Sequence, residues 1–552
     1  MKYYLNAIIL TSVTVLLALI VGKVYFHTGF PYTHDGENHL ARFANYKTAL
    51  KEGQIPPRFA PNLMNHYGYP VFNYNYPLAN IISLPFSLLK INYEVTFKVI
   101  AVAFLIIGLL GVHRWLAMLN FSLLAQLFGM SVFATNPYLI NVIYYRGNIG
   151  ELIAICLLPW IFLIIEHVHK SNKSVFFHYR QTNLLTLCYT SIYAAFFLSH
   201  NLAVIFGMPL ILAYAALRLK LNKEKWIYYF AILVSASLLT LWFWLPAITE
   251  KNQVILGSGK LTSNFLQHFP TISQLFFDAF SFGFSYPGKV DSLSFWLGGV
   301  QLLSLILASF YSIKNDWYWR ALVILAWLLL FFQLSPTSPL WQLFSFARFI
   351  QFPWRLSMFF SLIIIPIGAF TWENSSKTLK ALFLVLLAFQ LISVVRLTPV
   401  DYFHKENVDY DAYPQSTSTL NENLPLGFMY INLGDWQPGP HILEGAGQVA
   451  VNYWTGSDRS YQLTLTQPSL IVEPTMKFLG WQTSSDAQTV QYVDNEDIDG
   501  RIAYRLEPGE YQIRTRFTQW TWARIVGNTV SLVALVGLVS LAGYQFVKKY
   551  QR

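Results

Sequence analysis

A run of about 17 to 25 apolar residues crosses ~30 Å of hydrocarbon as a helix, and about twelve such runs recur along this sequence of 552 residues. Hydropathy places them near 5–26, 96–118, 121–140, 150–168, 182–199, 201–218, 226–247, 293–313, 319–334, 354–372, 378–396 and 525–547. The run "PLANIISLPFSLL" at 77–89 is too short to span and reads as an interfacial helix. Only 12% of residues are charged, about half the ~25% of soluble domains. Cys156 and Cys188 both fall inside apolar runs, which leaves no disulfide framework and no cysteine-based zinc site. The opening run lacks a small-residue cleavage site and reads as a retained first span.

The net charge of +10 would suit nucleic acid if the basic residues formed a stripe. They fall instead in short clusters between apolar runs, as in cytoplasmic loops, so no nucleic-acid partner is expected. With the N-terminus inside, Arg114, Lys170 with Lys173 and Arg180, "RLKLNKEK", Lys314 with Arg320, Lys377 with Lys380 and the tail "KKYQR" all share one side. This predicts a multi-pass protein of the plasma membrane, the inner membrane of a bacterium, with both termini cytoplasmic.

The polar mass then lies outside. It comprises a first loop over 27–95, loops near 249–292 and 335–353, and a segment over 397–524. In that segment "YQLTL", "RIAYRL" and "YQIRTRF" alternate apolar and polar residues between Gly and Pro turns, the pattern of a small antiparallel β domain. The expected layout is a transmembrane domain over 1–396, an outer β-rich domain over 397–524, and a final helix with a basic tail over 525–552.

Ionisable residues beside a membrane are costly to keep dry, and they mark candidate sites. "PYTHDGENHLARF" supplies Asp35, Glu37, His39 and Arg42 directly after the first span. On the same side lie Arg58, His66, Arg146, Glu151, His200, Arg348, Gln351 and Arg355. Each has a structural reading: Arg146 and Glu151 as an interhelical ion pair, His200 as a satisfied interfacial histidine, Arg348 and Arg355 as helix-end anchors. "YGYPVFNYNY" reads either as an interfacial aromatic belt or as a platform for sugars. A carboxylate takes a proton from an acceptor hydroxyl, and an arginine fork neutralises a leaving phosphate. The set therefore suits glycosyl transfer from a lipid-phosphate sugar. No phosphate-binding loop, dinucleotide fingerprint or protease motif is present.

The chain resembles the GT-C superfamily of multi-pass glycosyltransferases. It is similar, more closely, to bacterial membrane proteins labelled "6-pyruvoyl-tetrahydropterin synthase-related", neighbours of the YfhO-like group. "THDGENHLAR", "YRGNIGELIA", "SHN", "QFPWRL" and the C-terminal "PGEYQIRTRF" carry the resemblance. No pterin-synthase zinc-histidine cluster accompanies the label. The resemblance implies an α-helical GT-C-like polytopic membrane protein, an outer-face reaction, a polyprenyl-phosphate sugar donor and Asp35 as the catalytic acid. The motif here is D-G-E-x-H and not an adjacent acid pair. Asp35, Glu37 and His39 thus suit either base catalysis or a divalent cation, Mg²⁺ or Mn²⁺.

The sequence therefore predicts a membrane glycosyltransferase of the cell envelope that transfers a hexosyl or pentosyl group to a glycan, lipid or protein acceptor. Asp35, Glu37 and His39 are the catalytic candidates. Arg42, Arg58, His66, Arg146, Glu151, His200, Arg348, Gln351 and Arg355 are the substrate-binding candidates. The rival readings are a polytopic transporter or lipid flippase, with ionisable groups at mid-membrane and broken helices, and a non-catalytic envelope-assembly protein.

Overall fold

Each apolar run becomes a helix in the computed structural model, which describes residues 2–171, 182–258, 265–287, 291–343, 350–418, 420–429, 436–487, 489–493 and 498–550. Among these residues eight helices are long and apolar enough to cross a membrane. The number is ten if each of two bent pairs forms one span: Leu123–Ala134 with Pro137–Arg146, and Trp317–Phe331 with Ser335–Gln342. Leu184–Phe197 and Gly299–Lys314 are apolar but shorter, as is Leu78–Leu88. The chain is a multi-pass membrane protein. The basic residues Lys173, Arg180 and Arg348 lie outside the described residues.

Ile149–Lys170 is the central helix, with 94% of its apolar window buried, against 17% for the last span, Trp522–Leu541. Lipid is as apolar as leucine, so helices here gain little by hiding oil and depend on close contact and polar bonds. Tyr93–Met118 approaches the central helix through Gly108, where an added Cβ would sit 2.9 Å from Cys156 Sγ. Nearby, Trp160 Nε1 donates to Ile107 O at 2.9 Å. The bend of 42° in the third span falls at Asn136–Pro137. Proline cannot continue an α-helix from the preceding turn. Asn136 restarts it by accepting from the Tyr138 amide, and Ser361 donates to the same oxygen at 2.7 Å.

A two-residue ladder pairs β1 (Phe30–Pro31) with β2 (Tyr402–Phe403). Then follow β3 (His441–Glu444), β4 (Gly447–Trp454), β5 (Asp458–Leu465), β6 (Ser469–Met476), β7 (Trp481–Ser485), β8 (Gln491–Tyr492), β9 (Arg501–Leu506) and β10 (Gly509–Phe517). They form two antiparallel sheets, ordered β4-β5-β10-β7 and β3-β6-β9-β8. Alternation decides what goes inside. Tyr461, Leu463 and Leu465 of β5 face Tyr511 and Ile513 of β10, and pack onto Ile471, Tyr504 and Leu506 of the second sheet. Between the sheets Arg459 pairs with Glu473 at 2.6 Å, its guanidinium 4.5 and 4.4 Å from the Trp454 and Trp481 rings.

The strands reach the first loop through Ser457, which takes Gln54 Nε2 at 2.8 Å and donates to Glu52 at 2.7 Å, and through Met476 N to Tyr67 O. The residues 401–418 and 420–429, which precede the sheets, strap the same loop. Arg42 donates to the Thr417 carbonyl and hydroxyl, Tyr413 to Asn38, and Lys405 pairs with Glu37. The first loop and the β sheets therefore occupy one end of the helical bundle. In a Cys188→Ser background, cysteines at Tyr32 and Gln462 should react with an impermeant reagent from the same side of sealed membranes. Labelling from opposite sides would contradict this arrangement.

Candidate active site

The site is assembled where the first loop meets the break before the central helix. His34 and Asp35 donate their amides to Tyr145 O and Arg146 O at 2.9 and 2.8 Å, which fastens the motif to the end of the third span. That span closes with a π-turn, Val142–Arg146, a rare form found disproportionately at functional sites. Gly147 follows at φ +61°, and a Cβ there would lie 2.1 Å from Thr33 Oγ1. The turn thus needs glycine both for its backbone and for the approach of the loop.

Asp35 occupies the N-cap position of Gly36–Lys51 but makes no side-chain capping bond, although aspartate is among the best N-caps. Its Oδ2 instead accepts from Asn148 Nδ2 at 3.1 Å. Asn148 Oδ1 in turn accepts from the Tyr76 hydroxyl at 2.9 Å and from the Glu151 amide at 3.0 Å. Two donors thus hold the Asn148 carbonyl, and its amide N–H aims the half-buried Asp35 carboxylate.

Behind Asp35, Arg146 and Glu151 form a buried ion pair at 2.5 Å, with the Tyr138 hydroxyl bonded to Glu151. The pair is local: Arg146 ends one helical segment and Glu151 sits in the first turn of the next, where a carboxylate also suits the helix dipole. Arg355 donates from Nη1 to Ile350 O at 3.0 Å and Gln351 Oε1 at 2.9 Å, while its buried Nε has no hydrogen-bond partner. Arg355 lies within electrostatic range of Arg146, Glu151 and Asp35. Gln351, at φ +63°, turns the chain so that it meets Arg355. His200 caps Asn201–Leu219 through Nδ1 and sets its ring 4.8 Å from Tyr76.

Other candidates have different commitments. Glu37 faces Lys405 and not Asp35. His39 is buried, its basicity held well below the ordinary range by burial and by the charges of Arg42 and His200. Among the described residues no group of three or more His, Cys, Asp or Glu is arranged to hold a metal ion, so Asp35, Glu37 and His39 do not fit a three-ligand cation site. Arg58 is engaged with Trp242 O, Asn528 and Gln519, joining Lys223–Thr249 to the last helix. His66 lies against Trp436 at 4.9 Å. Arg348 lies outside the described residues.

Two residues at the site escaped the sequence reading. Asn148 had a signal, since Asn followed three residues later by Glu before an apolar run is the signature of a helix start. Glu422 had none. It is a half-buried carboxyl of the strap, raised by burial, with Arg42 opposing and the charge of Asp35 adding to the shift.

No family model matches the chain, and no curated protein matches it. Among solved structures the chain is similar to the cryo-EM structure of the arabinofuranosyltransferase AftD from Mycobacteria, at 13% identity and a TM-score of 0.43, over 70% of this chain and 26% of that one. A mutant form of the same enzyme gives 12% identity and a TM-score of 0.42, over 70% and 27%. The chain spans about a quarter of the length of these structures.

Proposed function

We propose that this protein is a GT-C-like membrane glycosyltransferase, related to the YfhO-like group, that transfers a sugar from a polyprenyl-phosphate-type donor to an extracytoplasmic acceptor. One observation carries the reading: Asp35 forgoes the capping bond open to it and is aimed by Asn148, with Arg146 and Arg355 in electrostatic range. Asp35 accepts the proton of the acceptor hydroxyl as that oxygen attacks the anomeric carbon. The bond from that carbon to the phosphate oxygen breaks, and the lipid phosphate leaves with the electron pair. Arg355, with an unpartnered Nε, receives the phosphate oxygens.

The test is the purified full chain incubated with membrane lipid extract. A lipid-linked phosphosugar should copurify, and label should pass from that lipid to an acceptor. Vectorial transport without transfer would favour a transporter. Arg355→Lys keeps the charge but loses the fork that binds phosphate bidentately. Donor KM should rise about tenfold, in line with ~1.5–3 kcal/mol for hydrogen bonds to charged groups, with thermal stability little changed. Unaltered donor affinity in Arg355→Ala would defeat the assignment.

A further inference from the structure

From the Asp35 end of helix Gly36–Lys51 a polar ribbon runs away along the helix. Asn38, one turn on, accepts from the Tyr413 hydroxyl at 3.2 Å, and Tyr413 also reaches Gln415 at 3.3 Å. The carbonyls of Gln415 and Pro414 take the amides of Met64 and Asn65. These two residues and His66 are consecutive, with φ of +56°, +52° and +66°. A non-glycine residue in that region is strained by ~1–3 kcal/mol, and such strain gathers at ligand clamps. Three in a row persist here because the strap holds two of their amides and Gly68 closes the turn onto Leu63 O. The turn ends by presenting half-buried His66 to Trp436, whose indole N–H is anchored on Pro474 O at 3.0 Å.

Asn45, ten residues beyond Asp35 on the same helix, holds this turn by accepting from the Asn62 amide at 2.9 Å. At ~1.5 Å per residue Asn45, and with it the anchor of the turn, lies about 15 Å along the helix axis from the candidate base. Side-chain amides and an aromatic face along such a path match the alternating hydroxyl edges and apolar faces of sugars, whereas a peptide or lipid acceptor would want charge or an apolar trough.

We infer that Asn38, Gln415, Asn65, His66 and Trp436, positioned by the buried Tyr413, form an extended subsite for an oligosaccharide acceptor, whose terminal hydroxyl reaches Asp35. The inference rests on the proposed glycosyl transfer for its direction, but glycan binding is measurable without any reaction. The experiment is isothermal titration of the full chain in detergent, without donor, with malto-, manno- and xylo-oligosaccharides of one to five units. In at least one series affinity should rise with length. Trp436→Ala and His66→Ala should each cost about tenfold with the longest member, as loss of an aromatic contact predicts, and leave the monosaccharide unchanged. Gln415→Ala, on an exposed residue, is the check against misfolding and should also weaken the longer ligands. Absence of binding in all three series, or affinity independent of length, overturns the inference. Length-dependent binding by a chain that transfers no sugar would instead sink the transferase reading and leave the glycan subsite standing.

Discussion

Asp35→Asn should collapse turnover while the protein continues to fold. General-base assistance is worth ~10²- to 10⁴-fold, and the loss should fall in that range in a transfer assay with a defined lipid-phosphate sugar. Folding survives for a structural reason. The Asp35 side chain caps nothing, and an asparagine carbonyl still accepts from Asn148 Nδ2. Glu37→Gln should lose only a few-fold, because it breaks a partly exposed pair with Lys405 of a kind worth ~0–1 kcal/mol. Near-normal transfer by Asp35→Asn would remove this loop from the chemistry. A Glu37→Gln defect as deep as that of Asp35→Asn, together with chelator sensitivity, would return the two acids to a shared cation.

Glu151→Ala should be the most destabilising single change at the site. Glu151 is fully buried and Arg146 nearly so, and removing one partner leaves a guanidinium unpaired at a helix mouth. Breaking a buried pair costs roughly 3–5 kcal/mol, whereas replacing both partners by apolar residues is often close to neutral. The double variant Arg146→Met/Glu151→Leu should therefore recover most of the thermal stability lost by Glu151→Ala, and the cycle gives the coupling directly. Equal melting of wild type and Glu151→Ala in detergent would show that the pair does not hold the mouth together.

Residues whose fate is decided locally were legible in the sequence. The apolar runs predicted the helices because a hydrocarbon slab leaves no other use for them, and "YQIRTRF" predicted β10 because alternation has a period of two. Long-range partners were not legible. Glu37 and Lys405 are 368 residues apart, and nothing in "DGENH" says which distant lysine will arrive. Arg58 read like a site residue because it shares the outer side with the other ionisable groups, yet it serves the junction of two distant helices. Asn148 lay within "YRGNIGELIA", but its role as the residue that aims Asp35 depends on the loop folding back across the break at Gly147.

The strap has a consequence for biogenesis. Arg42 finds its partner in Thr417, 375 residues later. At ~5–20 residues per second of synthesis, the first loop waits roughly 20 to 75 s before that partner exists. Through this interval nearly all the other spans are made while Asp35 stands on a helix without its clamp. A site built so is complete only after the spans between Arg42 and Thr417 have been made, and a nascent chain stalled before residue 401 would sit in the membrane with the Asp35 loop unclamped.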